Sequence, residues 1–281
     1  MMPNYTISFA GTAVAVEYEG ERPAKILQFL FEAVPVSDSA RPEIVYRLHY
    51  DDQADLFTLK KDSTPLLQSR DEAAVADVLL GSVCHQLAWH SRGGLLFHAG
   101  GLAWQGCGLL LPGMMGAGKT TLTAWLLGRG WHYLSDEMVF IANHSDTLTA
   151  LPRPLNLKHP ARSVLKPQLD YISHHTGQIY STPTTDLVSP RLFNPATRFS
   201  APPLWLIIFP HFQAEGQFSL QRLSKAQTGL ALMKCLVNAR NLSGHGFAGI
   251  SRLARQTPAF KMNYSHFDQI GDTVEQLLAE E

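Results

Sequence analysis

A glycine-rich loop between an apolar run and a helical pattern is the feature that most constrains the fold of this chain. The loop, GMMGAGKT, fits the pattern G-x-x-x-x-G-K-[ST] at every fixed position. The run CGLLLPG before it predicts a β-strand, and KTTLTAWLLGRG after it predicts a helix that ends at glycine. A strand, this loop and a helix in that order predict an α/β fold that binds a nucleotide.

The chemistry of the loop predicts which atoms meet the phosphates. Glycines let backbone N–H groups approach phosphate oxygens without a Cβ clash, and the helix N-terminus adds positive potential. We expect Lys119 to reach the β- and γ-phosphates and Thr120 to offer its hydroxyl to Mg²⁺. The loop therefore predicts that a purine or pyrimidine nucleoside triphosphate is bound with Mg²⁺. The expected nucleotide-binding residues are Gly113, Met114, Met115, Gly116, Ala117, Gly118, Lys119, Thr120 and Thr121.

An acidic pair, Asp136-Glu137, follows the loop after only one predicted helix and part of one strand-like run, WHYLSDEMVFI. This short interval predicts that Asp136 lies beside the terminal phosphate. A carboxylate there accepts a hydroxyl proton or holds Mg²⁺, and both roles are open for Asp136. Glu137 either binds metal or points away, because adjacent residues of a strand face opposite sides.

The segment LFHAGGLAWQGCGLLLPGMMGAGKTTLTAWLLGRGWHYLSDE resembles the HPr kinase/phosphorylase family. That family has a strand with a histidine, the glycine loop, an Arg-Gly step and an acidic pair. Here these positions are His98, Arg129-Gly130 and Asp136-Glu137, with Glu137 in place of the family's second Asp. The segments ALPRPLNLKHPA and PAFKMNYSHFDQIGDTVEQLL resemble a branch of HPr-kinase-like proteins often met in gene clusters for modified peptides or exported polymers.

The resemblance implies a fold and a reaction. The fold would be an α/β P-loop kinase core of the HPr kinase/PEP carboxykinase type with a mixed sheet, over residues 91–281. A small β-rich N-terminal region with a linking helix, residues 1–90, would precede it. The reaction would transfer the γ-phosphate of ATP to a Ser or Thr hydroxyl of a peptide or protein, such as a precursor peptide. The family's phosphorylase signature has no counterpart here, so the reverse activity is not carried over. Ring-like assembly of true HPr kinases makes a homo-oligomer a further expectation.

Four basic or imidazole side chains are further candidates for the site. His98 orients a phosphate or the acceptor, or it is a hydrogen-bonded core residue of an apolar strand. Arg153 and Lys158, in PRPLNLKHP, clamp phosphate oxygens of the substrate or belong to a solvated loop. Arg191, in SPRLF, is a weaker candidate of the same kind.

Two other functions fit the same motifs. The acceptor is a small-molecule alcohol in one, and in the other the protein is a regulatory module that binds a nucleotide without transferring phosphate. Residues 145–198 are rich in Pro, His and Thr, which predicts long ordered loops around a site or a mobile flap that grips a substrate. That composition favours a substrate site over a switch.

Composition limits the partners. The 23 basic and 24 acidic residues nearly balance and form no long basic run, so no nucleic-acid partner is expected. The first residues lack the pattern of a signal peptide, the longest apolar run is too short to span a bilayer, and the 3 cysteines are widely separated. We therefore expect a cytoplasmic protein without membrane insertion. The 12 histidines form no H-x-x-x-H pair and His174-His175 are adjacent, so no structural zinc is predicted.

Periodicity predicts most of the secondary structure. YTISFAG, AVAVEYEG and IVYRLHY read as strands, and AKILQFLFEAV and SRDEAAVADVLLGSVCHQLAWHS as helices. PLWLIIF and FSLQRLS are predicted to form a strand pair, KAQTGLALMKCLVNARNL a helix, and the C-terminal stretch a strand followed by a helix. Because strands outnumber those of a simple alternating pattern, we expect a mixed sheet.

Overall fold

The computed structural model describes residues 3–34, 41–166 and 178–280, which form three β-sheets flanked by helices. The strands are β1 Asn4–Phe9, β2 Thr12–Glu19, β3 Ile44–Asp51, β4 Leu56–Lys61, β5 Thr64–Ser69, β6 Gly94–Trp104, β7 Cys107–Pro112, β8 His132–Ser135, β9 Met138–Ala142, β10 Leu148–Ala150, β11 Leu155–Lys158, β12 Ile179–Ser181, β13 Thr185–Val188, β14 Leu204–Phe212, β15 Ser219–Arg222 and β16 Ala259–Tyr264. The helices are α1 Glu21–Phe31, α2 Glu72–His90, α3 Lys119–Gly128, α4 Ala161–Val164, α5 Lys225–Cys235, α6 Phe247–Gln256 and α7 Thr273–Glu280.

The N-terminal residues form a five-stranded sheet in the order β1-β2-β3-β4-β5. Helices α1 and α2 pack against it. Helix α2 begins inside the predicted segment SRDEAAVADVLLGSVCHQLAWHS: Asp71 is its N-cap and accepts a hydrogen bond from the N–H of Ala73 at 2.9 Å. Apolar side chains of sheet and helices meet in one buried cluster that includes Phe31, Tyr46 and Leu79.

The second sheet has the strand order β10-β9-β6-β7-β14-β16-β15, and β8 also pairs with β6. Strands β7, β14 and β16 run parallel, while β6 is antiparallel to β7 and β15 to β16, so the predicted mixed sheet is confirmed. Alternation along β7 separates two cores: Leu109 and Leu111 share a cluster with α3 and α7, and Leu110 shares one with α5 and α6. The loop after β7 therefore lies at the end of an interior strand, with helices packed on both faces of the sheet.

The N-terminal sheet and the second sheet share one core. Leu96 of β6, Phe140 of β9 and Leu151 are buried in the same cluster as the N-terminal sheet and its helices. Phe9 and Phe140 pack edge to face, with ring centroids 6.1 Å apart. The division at residues 90 and 91 stays a prediction, and packing of this kind joins the regions on either side of it.

Two expectations about strands are wrong. PLWLIIF and FSLQRLS, now β14 and β15, do not pair, because β16 lies between them, parallel to β14 and antiparallel to β15. Strand β16 comes later in the chain, and a local pattern carries no signal for such an insertion. WHYLSDEMVFI is two strands, β8 and β9, interrupted at Asp136 and Glu137. The helix predicted over KAQTGLALMKCLVNARNL ends at Cys235, before the predicted stretch does.

The region 145–198 contains a third sheet in the order β11-β13-β12. Residues 167–177, with His174 and His175, lie outside the described residues, so the predicted flap is described only in part. Asp186 of β13 forms a bidentate ion pair with Arg162 at 2.6 and 2.7 Å, which ties this small sheet to α4. Ordered secondary structure therefore fills much of a segment whose composition predicts loops.

Helix α2 contains 19 residues and packs against β2, β4, β5 and β12. Its buried residues include Val75, Leu79 and Val83, which belong to the same cluster as the buried side chains of the N-terminal sheet. Over residues 3–34, 41–166 and 178–280, no helix combines the length and the apolar composition that are needed to cross a bilayer.

Candidate active site

The glycine loop has the backbone that its sequence predicts. Gly116 and Gly118 have φ angles of 84° and 90°, which side chains other than glycine rarely adopt. Gly118 is the N-cap of α3, so the loop leads directly into the first turn of the helix. A Cβ atom at Gly118 would overlap with the hydroxyl oxygen of Tyr264, whereas one at Gly116 would meet no atom. Gly118 is therefore required by both conformation and contact.

Neighbouring strands hold the loop from outside. The N–H of Phe212, at the end of β14, donates to the carbonyl of Ala117 at 3.2 Å. The hydroxyl of Tyr264, at the end of β16, donates to the carbonyl of Gly118 at 3.4 Å. Because these bonds engage carbonyl oxygens, they leave the loop N–H groups to other partners such as phosphate oxygens.

Lys119 lies inside the loop that it terminates. Its Nζ donates to the carbonyls of Gly113 at 2.7 Å and Met114 at 3.1 Å, and lies 2.8 Å from Nε2 of His98. Lys119 is buried, and burial lowers its pKa while the charge of Glu137 opposes that shift. The ammonium group thus lies at the mouth of the glycine loop.

His98 connects this lysine to an acid. Its Nδ1 lies 3.0 Å from Oε1 of Glu137. A charged Lys119 can only donate, so Nε2 of His98 accepts and Nδ1 carries the proton that is donated to Glu137. The structure therefore brings together three residues predicted from separate segments: the loop lysine, the strand histidine and the second acid.

The break between β8 and β9 explains how Glu137 reaches His98. The hydroxyl of Ser135 accepts the N–H groups of Glu137 at 3.3 Å and Met138 at 3.1 Å, which forms a turn where a straight strand is predicted. The N–H of Ala99 donates to the carbonyl of Glu137 at 3.1 Å, and Met138 pairs with His98 in the sheet. The turn thereby places Glu137 directly beside the strand that carries the histidine.

Asp136 lies in a different environment from its neighbour. Its side chain is 0% exposed and forms an ion pair with Nη2 of Arg153 at 3.2 Å. The hydroxyl of Tyr133 donates to Oδ1 at 3.2 Å, and the N–H of Asn156 donates to Oδ2 at 3.2 Å. Both carboxylate oxygens therefore have protein partners. The base and metal roles of Asp136 stay predictions, and in this arrangement Asp136 exposes no atom to a ligand.

Arg153 joins the two acids. Its guanidinium is buried, and Nη2 also lies 3.3 Å from Oε2 of Glu137. Burial alone would lower the pKa of Arg153, but the carboxylates of Asp136 and Glu137 raise it. Burial likewise opposes ionisation of Glu137, yet the hydrogen bond from His98 and the charge of Arg153 lower its pKa to about 2. These contacts form one cluster of His98, Lys119, Asp136, Glu137 and Arg153. Glu137 is 38% exposed and ionised at neutral pH, so it is the accessible anion of the cluster.

The remaining predicted residues differ in their exposure and in their partners. Thr120 and Thr121 lie in the first turn of α3 and are partly buried. Lys158 is exposed at the end of β11, and its charge acts on Lys119 in the same direction as burial does. Arg191 instead contacts the N-terminal region, with Nε 3.6 Å from Glu32, and stacks over Phe199. The structure shows no contact of Arg191 with the cluster.

Tyr133 and Asn156 belong to the site although motif reasoning does not identify them. Tyr133 is buried, and its hydroxyl donates to Asp136 and, at 2.9 Å, to the carbonyl of Arg153. Burial and the charge of Asp136 raise the pKa of Tyr133, so it stays a neutral donor. The sequence does offer one signal for Tyr133, because it is a polar aromatic residue three positions before Asp136. The backbone N–H of Asn156 leaves no such signal.

The donor set fits Mg²⁺ only in part. In the described residues, no group of three or more His, Cys, Asp or Glu side chains is arranged to hold a metal ion. The hydroxyl of Thr120 has no hydrogen-bond partner among these residues, and Glu137 is partly exposed. Mg²⁺ commonly uses one or two protein ligands together with substrate phosphates. Thr120 and Glu137 are therefore compatible with a cation that is bound chiefly by a nucleotide, whereas the oxygens of Asp136 contact Arg153, Tyr133 and Asn156.

Comparison of the chain with protein-family models found no matching family, and comparison with curated protein sequences found no significant match.

Proposed function

We propose that this protein is an ATP-dependent kinase of the HPr-kinase-like type, with a P-loop kinase core. It transfers the γ-phosphate of ATP to a Ser or Thr hydroxyl of a peptide or protein. The observation that carries the proposal is the contact of Lys119 of the glycine loop with His98, which in turn contacts Glu137. The glycine loop and an accessible carboxylate are thus joined through one imidazole, and phosphoryl transfer uses both a phosphate cradle and a carboxylate that orients or deprotonates the acceptor.

Each group has a proposed role. The loop N–H groups and the N-terminus of α3 bind the phosphates, and Lys119 turns from the loop carbonyls to the β/γ-phosphate oxygens. Thr120 would hold Mg²⁺, which when bound neutralises charge on the phosphates. We assign Lys158, which is exposed at the end of β11, to an anionic group of the substrate.

Glu137 is the proposed acceptor of the hydroxyl proton. The acceptor oxygen forms a bond to the γ-phosphorus, the bond from that phosphorus to the ADP oxygen breaks, and the hydroxyl proton passes to the carboxylate of Glu137. His98 orients this carboxylate through the hydrogen bond from Nδ1. Asp136 and Arg153 position Glu137 from the buried side, because Arg153 contacts both acids.

The polypeptide acceptor rests on the resemblance to kinases from gene clusters for modified peptides. Incubation with γ-labelled ATP and a panel of Ser- and Thr-containing peptides tests it. We expect the label on a polypeptide. Label on a small-molecule alcohol would identify the other kinase class, and free phosphate alone would contradict transfer.

Lys119→Ala is the decisive variant for the phosphate site. Among the described residues, it removes the one ammonium group that contacts the loop carbonyls, so we expect transfer to fall by about 100-fold or more. Lys60→Ala, an exposed lysine of β4, is the matched control and should leave transfer unchanged. Unchanged transfer in folded Lys119→Ala protein would contradict the proposal.

A further inference from the structure

A cavity of about 680 Å³ opens on one flank of the glycine loop. Its walls are the loop residues Met114 and Met115, the end of β14 with Phe212, and the outer face of α5 with Leu230. These four large apolar side chains are exposed: 65% for Met114, 83% for Met115, 39% for Phe212 and 69% for Leu230. Concentration of exposed apolar side chains around one concave surface indicates a ligand site rather than chance exposure.

The cavity lies opposite the acids with respect to the loop strand. His98 and Glu137 belong to β6 and the β8–β9 turn, on one side of β7, whereas the cavity uses β14 and β16 on the other side. In phosphoryl transfer the attacking and leaving oxygens are roughly in line through the phosphorus. If the acceptor approaches from the side of Glu137, the leaving ADP extends to the opposite side, where the cavity is.

The charges at the cavity agree with that direction. Lys234 of α5 and Lys261 of β16 line it and are exposed. Within the described residues, neither lysine forms an ion pair. Two uncompensated cations beside an apolar cavity that also borders a phosphate loop suit a ligand with an apolar ring and an adjoining polyanion.

We propose that this cavity binds the nucleoside of the triphosphate, with a purine ring against Met114, Met115 and Phe212. The inference rests on the proposed function, because it takes the glycine loop as the site of the phosphates. Thioether sulfur packs favourably on aromatic rings, and unbranched methionines adapt to a flat ligand. The cavity volume lies within the range of small-molecule sites.

The polar side chains of the cavity indicate weak discrimination between purines. Oε1 of Gln227 already accepts from the N–H and hydroxyl of Ser224, both at 2.9 Å. His211 is 3.2 Å from Asn263, and the lysines are flexible cations. Strong discrimination requires rigid groups that match a base edge. ATP and GTP should therefore bind within about tenfold of each other.

Isothermal titration with Mg²⁺ and three probes, ATP, GTP and tripolyphosphate, tests the assignment. Ala231 of α5 lines the cavity and Ala226 of the same helix does not, so Ala231→Phe fills the cavity and Ala226→Phe is its matched control. We expect wild type to bind ATP at least about tenfold more tightly than tripolyphosphate. Ala231→Phe should lose about tenfold or more in ATP affinity and keep its tripolyphosphate affinity.

Each outcome decides a different claim. Equal affinity of wild type for ATP and tripolyphosphate, or undiminished ATP affinity in Ala231→Phe, overturns the cavity assignment and leaves the phosphate site standing. Failure of wild type to bind any of the three probes overturns both the cavity assignment and the phosphate site. Leu230→Ala, at an exposed position, keeps the test valid if Ala231→Phe does not fold, and should weaken ATP binding about threefold without affecting tripolyphosphate.

Discussion

Two adjacent acids of this protein have opposite surroundings. The side chain of Asp136 is 0% exposed and paired with Arg153, whereas that of Glu137 is 38% exposed and contacts His98. Environment rather than residue type assigns different roles to two carboxylates in one site. At this scale, burial separates an acid enclosed by protein partners from an accessible one.

Replacement of each acid by its amide should give different losses. Glu137→Gln should keep the fold and nucleotide binding but lose about 100-fold in transfer, because an amide cannot accept the proton. The loss is limited by the weak basicity of Glu137, whose pKa is about 2, and by a largely dissociative transition state. Phosphate transfer and ATP affinity are the measurements, with Glu215→Gln on an exposed loop as control.

Asp136→Asn should instead lower stability. It leaves the buried charge of Arg153 with a weaker partner, and breaking a buried ion pair costs about 3 kcal/mol of the free energy of unfolding. Urea unfolding of the variant and wild type measures this difference. If Asp136→Asn kept wild-type stability but lost transfer, and Glu137→Gln kept full transfer, the two roles would be reversed. Asp136 would then be the proton acceptor and Glu137 the positioning residue.

The lowered pKa of Glu137 predicts how its contribution to stability depends on pH. The ordinary pKa is 4.5 and the folded value is about 2, so the unfolded chain binds this proton more readily. The stabilisation is therefore fully present above the ordinary pKa and is lost as pH falls through the folded one. Free energies of unfolding of wild type and Glu137→Gln should differ near neutral pH and converge toward pH 2. A constant difference would contradict the shift.

At the scale of elements, three strand ends and one helix converge on the loop. Strand β7 enters it, α3 leaves it, and β14 and β16 hold its carbonyls through Phe212 and Tyr264. The end of β16 also excludes any side chain at Gly118. The shape of the loop thus depends on strands that are distant in sequence.

Gly118→Ala should disturb this junction more than Gly116→Ala does. Both positions have positive φ, which costs an alanine about 1 kcal/mol, but only at Gly118 does the added Cβ overlap with Tyr264. We expect Gly118→Ala to lose at least about 2 kcal/mol of stability and most phosphate affinity. Thermal unfolding and titration with tripolyphosphate measure both effects. Equal losses in the two variants would show that the contact with Tyr264 does not matter.

At the scale of the whole molecule, the N-terminal sheet packs against the sheet that carries the glycine loop. Leu96, Phe140 and Leu151 are buried by residues of the first 90 positions. Asn156 Nδ2 also lies 3.4 Å from Asp77 of α2, so a residue beside the acid cluster contacts the N-terminal region. The N-terminal residues therefore contribute to the core under the proposed active site.

A fragment of residues 91–281 should not fold by itself. Loss of the N-terminal region exposes Leu96, Phe140 and Leu151 together, and apolar surface of that extent leads to aggregation. We expect no cooperative thermal transition and no nucleotide binding, as measured by circular dichroism and titration against the full chain. A cooperatively folded fragment that binds ATP would show that residues 1–90 form an independent domain.

Local patterns in the sequence determined much of this protein. The glycine loop and the helices α2 and α3 follow from period and glycine chemistry, which act over a few residues, and the mixed sheet follows from the number of strands. The residues His98, Lys119 and Glu137 were also recognisable as candidates from their order along the chain. The contacts among these three side chains were not recognisable, because the order of residues along the chain gives no distance between them.

Only the tertiary structure decided the contacts of that group. The hydroxyl of Ser135 breaks the predicted strand and turns Glu137 toward His98, while Arg153, from a later segment, encloses Asp136. Strand β16 inserts beside β14 and so shapes both the loop and the cavity. Burial and charge pairing depend on atoms that are far apart in sequence and close in space. For that reason the sequence pattern identifies the acids, and the packing determines which of them is exposed.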